Sequence, residues 1–194
     1  MRQKFVILTV PHAACPTGIL GYLPHHLCDF IAEKAARGLD ERIEVPHTLI
    51  VGDMERLDCD LNRPHCRDTP FRHRIRTFIQ KFKSSHQVWV LDIHSFPHAM
   101  TDYGTAEVAF LEDGETASRY TSDLADWLRT NEIFARVHVG AADGGADIET
   151  EARSLGVRST LIEFNEDLSP ARLEYILDIM KTWIDTDWPD FLFS

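Results

Sequence analysis

Short apolar runs rich in β-branched residues alternate with amphipathic segments along nearly the whole chain, and this alternation constrains the fold more than any other feature. The runs are KFVILTV (4–10), IEVPHTLIV (43–51), QVWVLDIH (87–94), AEVAFLE (106–112), IFARVHVG (133–140) and VRSTLIEF (157–164). Each has the length and residue types of a buried strand. Among them lie DFIAEKAARGL (29–39), TPFRHRIRTFIQKFKSS (69–85), GETASRYTSDLADWLRTN (114–131) and SPARLEYILDIMKTWID (169–185), which read as helices. Phe71, Ile75, Phe78, Ile79 and Phe82 fall on one helical face, a stripe suited to packing on a sheet. Strands interleaved with helices predict a three-layer α/β/α sandwich around a mixed, largely parallel central sheet, in a single domain over 1–194.

Capping residues sharpen the helix boundaries. Thr69-Pro70 and Ser169-Pro170 each offer a side-chain oxygen to an unpaired N–H, followed by a proline where no N–H is needed. The segment beginning at Asp29 has an acidic start and a glycine stop at Gly38.

Charge excludes some classes of function. Acidic residues outnumber basic ones by 31 to 20, giving a net charge of -11, so a general nucleic-acid surface is ruled against. Arg56, Arg63, Arg67, Arg72, Arg74 and Arg76 nonetheless cluster, either as a local receptor for a small anion or as a solvated helix face. No apolar stretch reaches membrane-spanning length. The N-terminal MRQKFVILTVPHAACP resembles a signal peptide only faintly, because its apolar run is short and Pro11 follows at once; a first strand is expected, in a cytoplasmic protein. Cys15, Cys28, Cys59 and Cys66 form no C-x-x-C pair, and reduced thiols are expected. The oligomeric state is left open.

In an open α/β sheet, ligands gather where strands end. Here the ends carry VPHAACP, LDIHSFPH and LIEFNEDLS, and the second strand leads into ERLDCDLNRP. His12, Asn62 with Arg63, His94 and Glu163 can therefore converge on one rim. Two imidazoles and a carboxylate make a catalytic zinc set when water takes the fourth position. Asp92, two residues before His94, lies on the same strand face and suits the imidazole's other N–H. For either histidine alone, a hydrogen-bonded structural role is the plainer alternative.

VPHAACP, RLDCDLNRP, LDIHSF and LIEFNEDL, in this order over residues 5–168, together resemble the N-formylglutamate amidohydrolase family. The DCDLNR string is also similar to that of aspartoacylase, in the wider zinc carboxypeptidase-like group. The resemblance implies a phosphorylase/hydrolase-like α/β fold and zinc, or another divalent metal, held by His12, His94 and an acid. The carboxypeptidase glutamate three residues after the first histidine is replaced here by Cys15. The family's histidine-x-x-x-aspartate matches His25 to Asp29, which favours Asp29 as the acidic ligand over Asp53 and Glu55. The resemblance also places Glu163 as the general base.

The substrate side follows from residue chemistry. Arg63 offers a planar fork for a carboxylate, Asn62 a neutral hydrogen bond, and Asp60 a brace for Arg63 or its loop. Arg56 matches an upstream family arginine, as a second anion contact or a structural ion pair. The glycine-rich 139–156 lacks a phosphate-loop ending and is expected to shape or cover the pocket. Ser95 and His98, beside the third strand's end, are expected to be loop residues with local hydrogen bonds, substrate contact being the alternative, and no G-x-S-x-G elbow is present. The expected activity is hydrolysis of an N-formyl or N-acyl amino acid bearing carboxylates. The alternatives are a zinc peptidase or amidase acting on a glutamyl peptide or cell-wall polymer, and a non-catalytic anion-binding relative.

Overall fold

The computed structural model describes residues 3–15, 28–29, 31–97, 105–112, 118–140 and 147–186. Strands β1 (Gln3–Val10), β2 (His47–Val51), β3 (His86–Phe96), β4 (Val108–Glu112), β5 (Ala135–Val139) and β6 (Arg158–Asn165) form one sheet in the order β2-β1-β3-β6-β4-β5. β2, β1, β3 and β6 run parallel, β4 is antiparallel to β6, and β5 is parallel to β4. The expected mixed, largely parallel sheet is therefore present.

Alternating side chains give each sheet face its own core. Val6, Leu8 and Val10 of β1 join Trp89, Leu91 and Ile93 of β3 on one face, beneath helices α1 (Ala32–Arg42), α3 (Arg119–Thr130) and α5 (Pro170–Thr186). Phe5, Ile7, Val88 and Val90 face the other way, beneath α2 (Pro70–Phe82) and α4 (Asp147–Ser154). The result is a three-layer sandwich. Burying an apolar side chain of this size contributes about 1.5–3 kcal/mol, so the two layers hold the sheet from both sides.

The capping pairs act as their chemistry demands. Thr69 Oγ1 accepts from the N–H of Arg72 at 3.4 Å, and Ser169 Oγ accepts from that of Arg172 at 3.2 Å. Gly38 does not stop its helix, which runs on to Arg42. A β-carbon at Gly38 would come within 2.5 Å of Leu177 Cδ1, so this glycine serves the close approach of α1 to α5. The helix at Asp147–Ser154 falls inside the glycine-rich stretch 139–156, where the sequence predicts no helix. No described helix is long and apolar enough to cross a membrane.

The expectation of reduced thiols is corrected. Cys15 is bonded to Cys28, and Cys59 to Cys66, at sequence separations of 13 and 7. The fold brings these partners together, and spacing alone gave no sign of it. Disulfides persist in oxidising surroundings, so the cysteines no longer support a cytoplasmic location.

Candidate metal centre

After β1 the chain crosses to β2 on one side, and after β2 it returns to β3 on the other. The ends of β1 and β3 thus flank a switch point in strand order, where an open sheet leaves a crevice. His12 lies two residues beyond β1, His94 near the end of β3, and Glu163 opposite His94 in the register of β6. Asp29 is drawn in by its backbone N–H, which donates to His12 O at 3.1 Å, and by the neighbouring Cys15–Cys28 bond. Gly52 passes so close beneath that a β-carbon would meet Pro11 O at 2.3 Å.

His12, Asp29 and His94 are 2%, 5% and 5% exposed, and one donor atom from each lies within 4.8 Å of the others. Asp29 Oδ2 stands 3.2 Å from His12 Nδ1 and 2.8 Å from His94 Nδ1. The outer nitrogens are also held by carboxylates: His12 Nε2 lies 2.8 Å from Asp60 Oδ1, and His94 Nε2 lies 3.1 Å from Asp92 Oδ2. Asp92 is itself fixed, accepting from Thr9 Oγ1 at 2.7 Å and from Asn62 Nδ2 at 3.0 Å.

This donor set fits a divalent cation. Metal bonds of about 2.0–2.1 Å in a tetrahedron place ligand atoms roughly 3.3 Å apart, close to the separations around Asp29 Oδ2. Each imidazole has a carboxylate on its outer nitrogen and Asp29 on its inner one, so the charge around the space between the imidazoles and Asp29 favours a cation there. With Asp60 and Asp92 taking the Nε2 protons, both Nδ1 lone pairs are directed inward, the carboxylate–histidine–metal arrangement.

The electrostatics agree. Burial opposes ionisation of Asp29, but hydrogen bonds and charge from His12 and His94 outweigh it and hold the carboxyl well below its usual range. Burial likewise opposes charge on Asp60, and His12, Arg56 and the Asn62 N–H reverse it. His94 is desolvated, yet Asp92 and Asp29 push its imidazole well above the ordinary value. Glu163 behaves in the opposite way. Part of the residue is open to solvent, but desolvation of its carboxyl, against charge from His94 and with Asp29 and Asp92 adding, raises it to about 7.

The structure thus brings together His12, Asp29 and His94, with Glu163 beside them, and Asp53 and Glu55 are not part of this group of three donors. Arg56 and Arg63 border it, both donating from Nε to Asp60 Oδ2, at 3.2 and 3.3 Å. Asn62 is 1% exposed, with Nδ2 on Asp92 and Oδ1 accepting from the Ile148 N–H at 2.9 Å, so its amide is engaged inside the protein. Ser95 Oγ donates to Glu166 Oε1 at 2.9 Å. His25, His98, the glycine-rich 141–146 and the chain from 187 onward lie outside the described residues.

Arg67, Arg72 and Arg76 do not form an open anion receptor. Arg72 is fully buried and donates to Asp147 Oδ2 at 2.9 Å and Glu151 Oε2 at 3.0 Å, while Arg67 and Arg76 pair with the same acids. They tie α2 to α4. Asp60 is the residue whose importance sequence reasoning understated: besides bracing Arg63 it accepts from His12, Arg56 and the Asn62 N–H. Its place one residue after Cys59 and two before Asn62 gave no signal of contact with His12, 48 residues away.

No family model and no curated protein matches the chain. Solved structures do share its fold. A gene product of Agrobacterium tumefaciens superposes with a TM-score of 0.73 at 21% identity, over 94% of this chain and 90% of that one. An N-formylglutamate amidohydrolase from Ralstonia eutropha gives 0.60 at 14%, over 95% and 94% of the two chains. A succinylglutamate desuccinylase from Chromobacterium violaceum gives 0.57 at 14%, with 97% of this chain spanning 65% of that enzyme.

Proposed function

We propose that the chain is a zinc-dependent amidohydrolase acting on a small N-formyl or N-acyl amino acid that carries carboxylates, of which N-formylglutamate is the type. The observation that supports this reading most is the convergence of three buried donors at a strand switch point, with a carboxyl of elevated pKa in register beside one of them. Its likeness in fold to an N-formylglutamate amidohydrolase and a succinylglutamate desuccinylase, both named for substrates with an acylated glutamate, supports the same class.

In this reading His12, Asp29 and His94 hold the metal, which when bound supplies Lewis acidity toward the amide carbonyl and makes water more acidic. Asp60 and Asp92 keep the two imidazoles turned so that Nδ1 faces inward. Glu163 takes a proton from the attacking water on a carboxylate oxygen and passes it to the departing nitrogen. A value near 7 suits a group that must both accept and return a proton at neutral pH. Arg63 and Arg56, their Nε atoms anchored on Asp60 and Arg56 Nη1 also 3.9 Å from Asp29 Oδ1, are the cations this reading assigns to the substrate carboxylates. Asn62 contributes by holding Asp92, and through it His94.

The experiment is hydrolysis of a panel of N-formyl, N-acetyl and γ-glutamyl substrates by the zinc-loaded protein. Turnover of acidic N-formyl or N-acyl amino acids, abolished by chelation and restored by zinc, is expected. A protein that binds about one zinc yet leaves the whole panel intact would overturn the activity while leaving the metal site standing.

A further inference from the structure

A second group of donors stands on the loop between β2 and α2. The sulfurs of Cys59 and Cys66 and a ring nitrogen of His65 all lie within 4.8 Å of one another. In this structure the two sulfurs are joined as a disulfide. The loop has other means of keeping its course. The Cys59 N–H donates to Glu55 O at 3.1 Å, the Arg63 N–H to Asp60 O at 3.0 Å and the Cys66 N–H to Arg63 O at 3.0 Å. Thr69 Oγ1 donates to Cys66 O at 3.0 Å and also caps α2, so Cys66 is pinned to the helix start. With the S–S bond opened, the two thiols therefore remain neighbours. Cys66 is buried, Cys59 half-buried and His65 exposed, which leaves an open side for an ion to enter.

Two thiolates and an imidazole are the donors zinc prefers in small loop sites, and three protein ligands leave one position for water. The cluster shares no residue with the His12, Asp29 and His94 group, which offers no sulfur at all.

We propose that Cys59, His65 and Cys66 form a separate zinc site in the reduced chain, in exchange with the disulfide seen here. Reduction by a dithiol supplies two electrons and two protons: the Cys59–Cys66 bond breaks, two thiols form, and the dithiol closes to its own disulfide. Zinc then displaces both thiol protons and makes two bonds to sulfur and one to neutral His65. A small-molecule disulfide reverses the step: it takes the two electrons and, with two protons from water, leaves as two thiols, while the Cys59–Cys66 bond re-forms and the ion is released. Asp60 and Arg63 lie between the two cysteines, so the exchange acts on the loop that braces His12.

The test is a cobalt(II) titration of the full chain, stripped of metal, before and after treatment with an immobilised dithiol that is removed before the cobalt is added. The reduced chain should bind about one equivalent more than the oxidised chain and gain thiolate-to-cobalt charge-transfer absorption in the near ultraviolet. Because the readout is a difference, failure of the His12, Asp29 and His94 site would lower both totals alike and leave it intact. Cys59→Ser should abolish the added equivalent and the absorption. His65→Ala, at an exposed position, should weaken the added equivalent about tenfold or more. Equal stoichiometry in both redox states would overturn the proposal. So would charge-transfer absorption that survives Cys59→Ser, which would assign the sulfur to Cys15 and Cys28.

Discussion

At the scale of single residues, the carboxylates around His12 and His94 matter for the ring nitrogens they leave free. Asp60 and Asp92 occupy the outer nitrogens, so each inner one meets Asp29. His94→Ala should therefore abolish metal retention, and unchanged zinc content by atomic absorption would remove His94 from the site. Asp60→Asn should leave the fold intact but reduce zinc affinity about 10–100-fold, the usual cost of losing a ligand's outer partner; competition against a chelator of known affinity measures it. Glu163→Gln should retain zinc and lower kcat on the order of a hundredfold or more, and near-normal turnover would reject it as the base. The sign of the pH effect follows from the elevated value. Glu163 accepts a proton only when ionised, so kcat/KM should fall on the acid side as its carboxyl becomes protonated, and this acid limb should vanish in Glu163→Gln.

At the scale of elements, the site hangs on segments that brace one another. α4 presents the Ile148 N–H to Asn62, and buried Arg72 holds α4 through Asp147 and Glu151. Arg72→Ala removes the buried cation between the two acids, leaving Asp147 to Arg67 and Glu151 to Arg76, and should destabilise the fold by about 1.5–3 kcal/mol, read as a shift in denaturation midpoint at unchanged slope. Gly52→Ala drives a methyl into Pro11 O, one residue before His12, at a cost of about 1–3 kcal/mol. The strands and four of the helices were legible in the sequence because apolar period and caps such as Thr69 and Ser169 are local signals. α4 was not, because DIETEARS carries little apolar stripe and is held by ion pairs with α2. His12, His94 and Glu163 were legible as residues at strand ends. The hub role of Asp60 and both cystines depend on which loops meet, and no local pattern encodes that.

At the scale of the whole molecule, ionisable groups near the site pull stability in opposite directions with pH. Asp29 and Asp60 are held below their ordinary range, so their contribution is complete above the usual carboxylate values and is lost as pH falls through the folded ones. Glu149 is fully buried and its carboxyl is pushed well above its ordinary value, first by desolvation and then by Glu112 and Asp92 against the opposing Arg153. A raised acid contributes stability that is present below its unfolded value and lost as pH rises through the folded one. Glu149→Gln should therefore raise Tm more at pH ~8 than at pH ~5, and an equal shift at both would contradict the assignment. The proposed function stands or falls on whether segments far apart in sequence grip one cation at the switch point between β1 and β3. A crystal structure of the zinc-loaded protein decides it. An ion bonded to His12 Nδ1, His94 Nδ1 and an Asp29 oxygen at about 2.0–2.2 Å is expected. Zinc bound elsewhere, with Asp29 still hydrogen-bonded between the two imidazoles, would contradict it.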